Sequence, residues 1–192
     1  MINYFVHVPK NAGCSISNAL GRSVEVINHD RRKSDFRYFK DHNLSKKTFS
    51  FAFVRNPWDR VVSAYSFVKK GGVNAGDKAD RDKYLAQYSS FSEFVKNFDD
   101  SILEQIHFVP QYKWICGDNG DVIVDFVGRF ENLREDFNTV CGVIGVKAEL
   151  PHSNKGKHKH YTKFYDAETE QVIAEKYAKD IEYFEYGFGD GA

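Results

Sequence analysis

The chain has 192 residues, 42% of them hydrophobic, long enough to bury roughly 70% of its unfolded surface as one domain and so no disordered tail. Lysine plus arginine and aspartate plus glutamate both number 27, so no global field draws it to nucleic acid or an anionic membrane, and any anion site must be local. Its three cysteines, Cys14, Cys116 and Cys141, form no C-x-x-C pair, which excludes a zinc ribbon or disulfide framework and argues for a reducing compartment.

In chain order, Ile2, Tyr4, Val6 and Val8 alternate with Asn3, Phe5 and His7 and predict a strand that Pro9 stops. A strand starting at residue 2 leaves no room for a signal peptide, and no apolar run approaches the ~20 residues of a membrane span, so the expected location is the cytoplasm. After the turn Asn11-Ala12-Gly13, the pair Cys14-Ser15 leads into Ile16-Ser17-Asn18-Ala19-Leu20, which has helical spacing. A strand, a tight loop with one lysine and a helix N-terminus aim backbone N–H groups at one point, a seat for phosphate or sulfate. A plain turn with a solvated Lys10 is the other reading of these residues. The nucleotide P-loop does not match, because Lys10 precedes Gly13 by three positions and no earlier glycine exists.

Val24-Glu25-Val26-Ile27 predicts a second strand, ending at Asn28-His29-Asp30, and the charged segment from Arg31 to Asn43, with His42, is partly helical. Phe49 to Val54 is a third strand. Arg55 ends it, and Pro57 suits the first turn of a helix through Val68. Arg55, and Ser63 about two turns into that helix, could reach an anionic group, since arginine forks match phosphate oxygens; pairing of Arg55 and Arg60 with nearby carboxylates is the bland alternative. Residues 71–83 read as the longest loop. Phe91 to Phe98 is an amphipathic helix, and His107 with Gln111 are candidate acceptor contacts. Val122 to Val127 predicts a strand, Glu131 to Ile144 a helix, and Asp166 to Phe184 one long helix. The basic run His152 to Tyr161 reads as a loop that covers phosphates or is merely solvated; its histidines lack metal-ligand spacing, and no metal is expected.

Strands alternating with helices predict an α/β fold, one domain over residues 1–192, with a mainly parallel central sheet flanked by helices and its ligand at the carboxyl ends of the strands. Lys10, His29 and Arg55 all fall at or just past such ends.

Two stretches carry a family resemblance. Pro9-Lys10-Asn11-Ala12-Gly13-Cys14-Ser15 resembles the 5′-phosphosulfate loop of sulfotransferases that use 3′-phosphoadenosine-5′-phosphosulfate (PAPS). Phe53-Val54-Arg55-Asn56-Pro57-Trp58-Asp59-Arg60-Val61-Val62-Ser63-Ala64-Tyr65 resembles their 3′-phosphate strand and helix. Val127 to Leu133 and the ending from Pro151 to Tyr186 are similar to the bacterial relatives of the carbohydrate sulfotransferases, the sulfotransferase family 2 group. The resemblance implies a P-loop-like sulfotransferase fold and PAPS as co-substrate without metal. It places Lys10, Asn11, Ala12, Gly13, Cys14, Ser15, Arg55 and Ser63 around that co-substrate, with a small-molecule or glycan hydroxyl as acceptor. Cys14 departs from the threonine usual there, and a thiol is the weaker donor. Lys10 would stabilise the leaving oxygen. For the base, imidazole titrates near working pH; His29 leads because the family carries a histidine after this strand, and His42 is the runner-up. A nucleotide-binding module without transfer stays open, as does a kinase, which would need a magnesium-binding Ser or Thr where Asn11 follows Lys10.

Overall fold

A computed structural model describes residues 2–27, 49–117, 119–151 and 159–191. Among these residues, β1 (Asn3–Val6), β2 (Glu25–Ile27), β3 (Phe49–Val54) and β4 (Phe126–Arg129) form one sheet in the order β2-β1-β3-β4. All neighbouring pairs are parallel, so the four carboxyl ends share one edge. Phe5 pairs with Val26 on one side and Phe51 on the other, and Val54 pairs with Arg129. β3 is buried from Ser50 to Val54, which is why Phe-Ser-Phe-Ala-Phe-Val reads as a nearly continuous apolar run rather than a strict alternation. The chain turns from β1 to β2 in one direction and then returns past β1 to lay down β3. Strand order therefore reverses between β1 and β3, the place where open α/β sheets leave a crevice.

Among the described residues the helices are α1 (Gly13–Leu20), α2 (Pro57–Lys69), α3 (Ala75–Asp80), α4 (Phe91–Lys96), α5 (Asp100–Leu103), α6 (Tyr112–Ile115), α7 (Leu133–Ile144), α8 (Ala167–Lys176) and α9 (Ala178–Phe184). The chain divides into two compact units, Met1–Arg55 with Gln111–Lys155, and Asn56–Pro110 with Gly156–Ala192. In the first, Ile16 and Leu20 of α1 and Phe137, Val140 and Cys141 of α7 pack with Phe5, Phe51 and Phe53 of the sheet. Gly128 lets β4 approach β3, since a Cβ there would lie 2.5 Å from the Phe53 ring. The second unit is helical, with a core built on Val61, Ala64 and Val68 of α2, Phe94, Phe98 and Phe108, and Ile173 and Tyr177 near its end.

Three expectations change. The segment 71–83 is mostly helical: Asn74 caps α3 by accepting from the Asp77 N–H, a π-helical turn follows over Arg81–Leu85, and Asp77 and Asp80 are buried. Their polarity reads as loop in the sequence but is satisfied inside, where Gln105 Nε2 donates to Asp80 at 2.8 Å. The predicted strand at 122–127 slides forward to 126–129, while Val122 forms only an isolated antiparallel bridge with Cys116. The helix expected from 166 to 184 is broken at Tyr177, whose φ of −113° and ψ of 23° end α8 and start α9.

Candidate functional site

The lysine turn begins where β1 stops. The His7 N–H donates to the Ile27 carbonyl at 3.1 Å, extending the β1–β2 ladder by one rung, and Pro9 then ends the strand. The backbone passes through the left-handed region at Lys10 (φ 72°) and Ala12 (φ 62°), conformations that cost an L-residue roughly 1–2 kcal/mol each. Strain of this kind survives only where the surroundings hold it. Part of that hold is Asn11, 1% exposed, whose Nδ2 donates to the Phe53 carbonyl at 2.7 Å and to Gln111 Oε1 at 2.8 Å. Its Oδ1 is buried without a hydrogen-bond partner among the described residues. Gly13 opens α1 under the His7 ring, and the first helical bond runs from the Ile16 N–H to the Ala12 carbonyl. By helix geometry the N–H groups of Gly13, Cys14 and Ser15 have no intrahelical acceptor. The first turn of α1 carries no acidic residue, so nothing of its own competes for them.

Arg55 follows β3 directly. Its Nη1 donates to the Lys10 carbonyl at 3.2 Å, and its guanidinium carbon sits 3.9 Å from the centroid of the Phe130 ring, just past β4. A cation over an aromatic face gains roughly 0.5–2 kcal/mol and is fixed in plane. Residues 45 positions apart in sequence, Lys10 and Arg55, thus meet at the carboxyl edge where strand order reverses. The Arg55 guanidinium, bonded to the carbonyl of the lysine turn, and the N-terminal amides of α1 with the Ser15 hydroxyl bring a cation and hydrogen-bond donors to this edge, which suits a polyanionic ligand.

Sequence reasoning misses the residue that joins these parts. Gln111 is fully buried; its Oε1 accepts from the Arg55 N–H at 2.9 Å while its Nε2 donates to the Arg55 carbonyl at 2.8 Å. An uncharged polar residue amid Val109, Pro110, Trp114 and Ile115 is the available signal, which reads instead as an acceptor contact. His107 likewise turns inward, its Nε2 lying 3.1 Å from Asp77 Oδ1 and its ring edge-on to Phe67.

Ala12 and Ser15 are half-buried, Gly13 is buried and Cys14 is exposed. Ser63 lies on α2 in the second unit, half-buried. His7, inside the predicted first strand, is buried and stacked at 5.8 Å on Phe5. His29, His42 and the basic run 152–158 lie outside the described residues. Among the described residues there is no group of three or more His, Cys, Asp or Glu side chains able to hold a metal ion, and no helix is long and apolar enough to cross a membrane.

A four-stranded parallel sheet with a lysine turn after one central strand and an arginine after the other defines the class: an α/β protein with a cationic corner at its switch point. The chain belongs to the sulfotransferase family, whose sequence model matches residues 4–187. It is 27% identical over 212 residues to carbohydrate sulfotransferase 9 of Homo sapiens, covering 92% of this chain and 46% of that protein. It is 27% identical over 193 residues to carbohydrate sulfotransferase 14 of Mus musculus, covering 86% and 48%. An uncharacterized protein of Archaeoglobus fulgidus is 38% identical over 113 residues, 57% of this chain and 81% of its own length. The chain thus spans about half the length of the carbohydrate sulfotransferases that it matches.

Proposed function

We propose that this chain is a PAPS-dependent sulfotransferase that moves a sulfuryl group to a hydroxyl of a carbohydrate or small-molecule acceptor by in-line attack. The observation that carries the reading is the meeting of Arg55 with the Lys10 turn at the switch point of a parallel sheet, in a member of the sulfotransferase family. Two cationic groups and a helix N-terminus suit a nucleotide that is anionic at both its 5′ and 3′ positions. When bound, PAPS supplies a sulfuryl group on a phosphate leaving group. The Lys10 amine is assigned to the bridging oxygen, where negative charge grows as the bond to sulfur breaks. The N–H groups and hydroxyl from Asn11 to Ser15, with Cys14 and Ala12 lining the turn, hold the 5′ end. Arg55 and Ser63 hold the 3′-phosphate, and His29 takes the proton of the acceptor hydroxyl. Fixed positive charge and positioning do the work, as in phosphoryl transfer, with no metal. The carbohydrate class of acceptor comes from the names of the human and mouse relatives.

The three free cysteines support a reducing compartment such as the cytoplasm. The chain passes between its two units three times and the family match runs across both, which supports treating residues 1–192 as one domain.

Calorimetric titration tests the donor: adenosine 3′,5′-bisphosphate should bind far more tightly than adenosine 5′-phosphate, and Arg55→Ala should erase most of that preference. Equal affinities in the unmodified protein would remove the donor assignment. Tight binding of the bisphosphate without sulfuryl transfer to any hydroxyl acceptor would favour a binding module, the reading that the exposed thiol of Cys14 leaves in view.

A further inference from the structure

We infer that Gln111 is a positioning residue that locks the lysine turn and the Arg55 corner in one register, and so sets discrimination for the 3′-phosphate of the donor; this rests on the donor reading above. Its amide meets the Arg55 backbone as one peptide group meets another across an antiparallel pair, accepting from the N–H at 2.9 Å and donating to the carbonyl at 2.8 Å. The same Oε1 accepts from Asn11 Nδ2 at 2.8 Å, and Asn11 Nδ2 also donates to the Phe53 carbonyl at 2.7 Å.

These contacts fix the orientation of both amides. A reversed Gln111 would set its NH₂ against two donors, and a reversed Asn11 would set its oxygen against the Phe53 carbonyl and Gln111 Oε1. The geometry also selects the residue type: glutamate cannot donate to the Arg55 carbonyl, asparagine is one methylene short, and methionine offers neither function. With Gln111 fully buried and Asn11 1% exposed, water cannot substitute cheaply for a lost bond. Removing the amide leaves the Arg55 N–H, the Arg55 carbonyl and an Asn11 N–H without these partners. The Arg55 backbone can then rotate, and its guanidinium leaves the plane set by the Phe130 ring and the Lys10 carbonyl. Placement of an arginine fork matters most where it must meet a phosphate bidentately.

The test is the ratio of affinities for adenosine 3′,5′-bisphosphate and adenosine 5′-phosphate, measured by calorimetry on the full chain. Gln111→Met is expected to lower that ratio by about tenfold or more, as Arg55→Ala does. Added to Arg55→Ala, it should change the ratio by less than about twofold, because the two act through one group. A merely structural residue would weaken both nucleotides alike and leave the ratio in place. Should Gln111→Met fail to fold, Gln111→Asn is read in the same way. A ratio within about twofold of the unmodified protein in the folded variant overturns the inference. No preference in the unmodified protein instead overturns the donor reading beneath it.

Discussion

At Gly13 a single hydrogen in place of a methyl group lets the His7 ring lie against the start of α1. A Cβ there would come within 1.9 Å of His7 Cδ2 and Nε2, and the ring is buried and stacked on Phe5, so it has little room to retreat. Overpacking of this kind costs about 1–3 kcal/mol, or ~2–12 °C in melting temperature for a chain of this size. Gly13→Ala is therefore expected to melt lower and to bind adenosine 3′,5′-bisphosphate more weakly; thermal melts with and without nucleotide check both. His29 belongs to the chemistry rather than the scaffold in this reading. His29→Ala should lower turnover by about 10²–10⁴-fold, the usual contribution of a positioned base, with nucleotide affinity nearly unchanged. Full turnover in that variant, with a loss in His42→Ala, would move the role to His42.

Among the elements, α2 shows how one motif divides between ligand and framework. Arg55 faces the lysine turn, whereas Asn56 is fully buried: its Oδ1 caps α2 by accepting from the Trp58 N–H at 3.1 Å, and its Nδ2 donates to the Gly187 carbonyl at 2.9 Å. Trp58 Nε1 donates to the Glu170 carbonyl at 3.0 Å, and Arg60 Nη2 to the Val109 carbonyl at 2.9 Å. Asn56→Ala removes a cap and takes a donor from the half-buried Gly187 carbonyl, a loss of about 1–3 kcal/mol, measurable by denaturant titration; a change below ~0.5 kcal/mol would mean that the cap is dispensable. Elements governed by local chemistry are legible in the amino-acid sequence. β3 is a run of alternating phenylalanines, α2 carries its proline at the first position, and the lysine turn is marked by Pro9 and Gly13. Elements set by distant partners are not. β4 takes the register that sets Gly128 beside Phe53, α3 depends on burying Asp77 and Asp80, and the role of Gln111 depends on residues 56 and 100 positions away. For the same reason, the Arg60 bond to the Val109 carbonyl, which spans 49 positions, is not legible in the sequence.

Across the whole molecule, charges balance at neutral pH, so the onset of acid sensitivity depends on particular carboxylates more than on net repulsion. Four of those held below their usual range fall in the second unit. Ser89 holds down Glu93, Ser101 holds down Asp99, and Thr169 holds down Asp166. Asp77 is the buried one. Burial alone would raise its carboxyl, but the backbone N–H groups of Val73 and Asn74 and the His107 ring outweigh this and leave it lowered. A carboxylate lowered on folding stabilises the fold fully above its unfolded pKa of about 4, and that stability is lost as pH falls through the folded value. Asp77→Asn replaces an acceptor of the Val73 N–H, bonded at 2.9 Å, with an NH₂ group or turns the amide against His107. It should cost about 1–3 kcal/mol near neutral pH. The gap from the unmodified protein should then narrow as pH drops below about 4, where the native carboxylate also takes up its proton. Denaturant titrations of both proteins from neutral to acid pH give the two curves, and a gap that stays constant across that range would show that charge on Asp77 is not what steadies this unit.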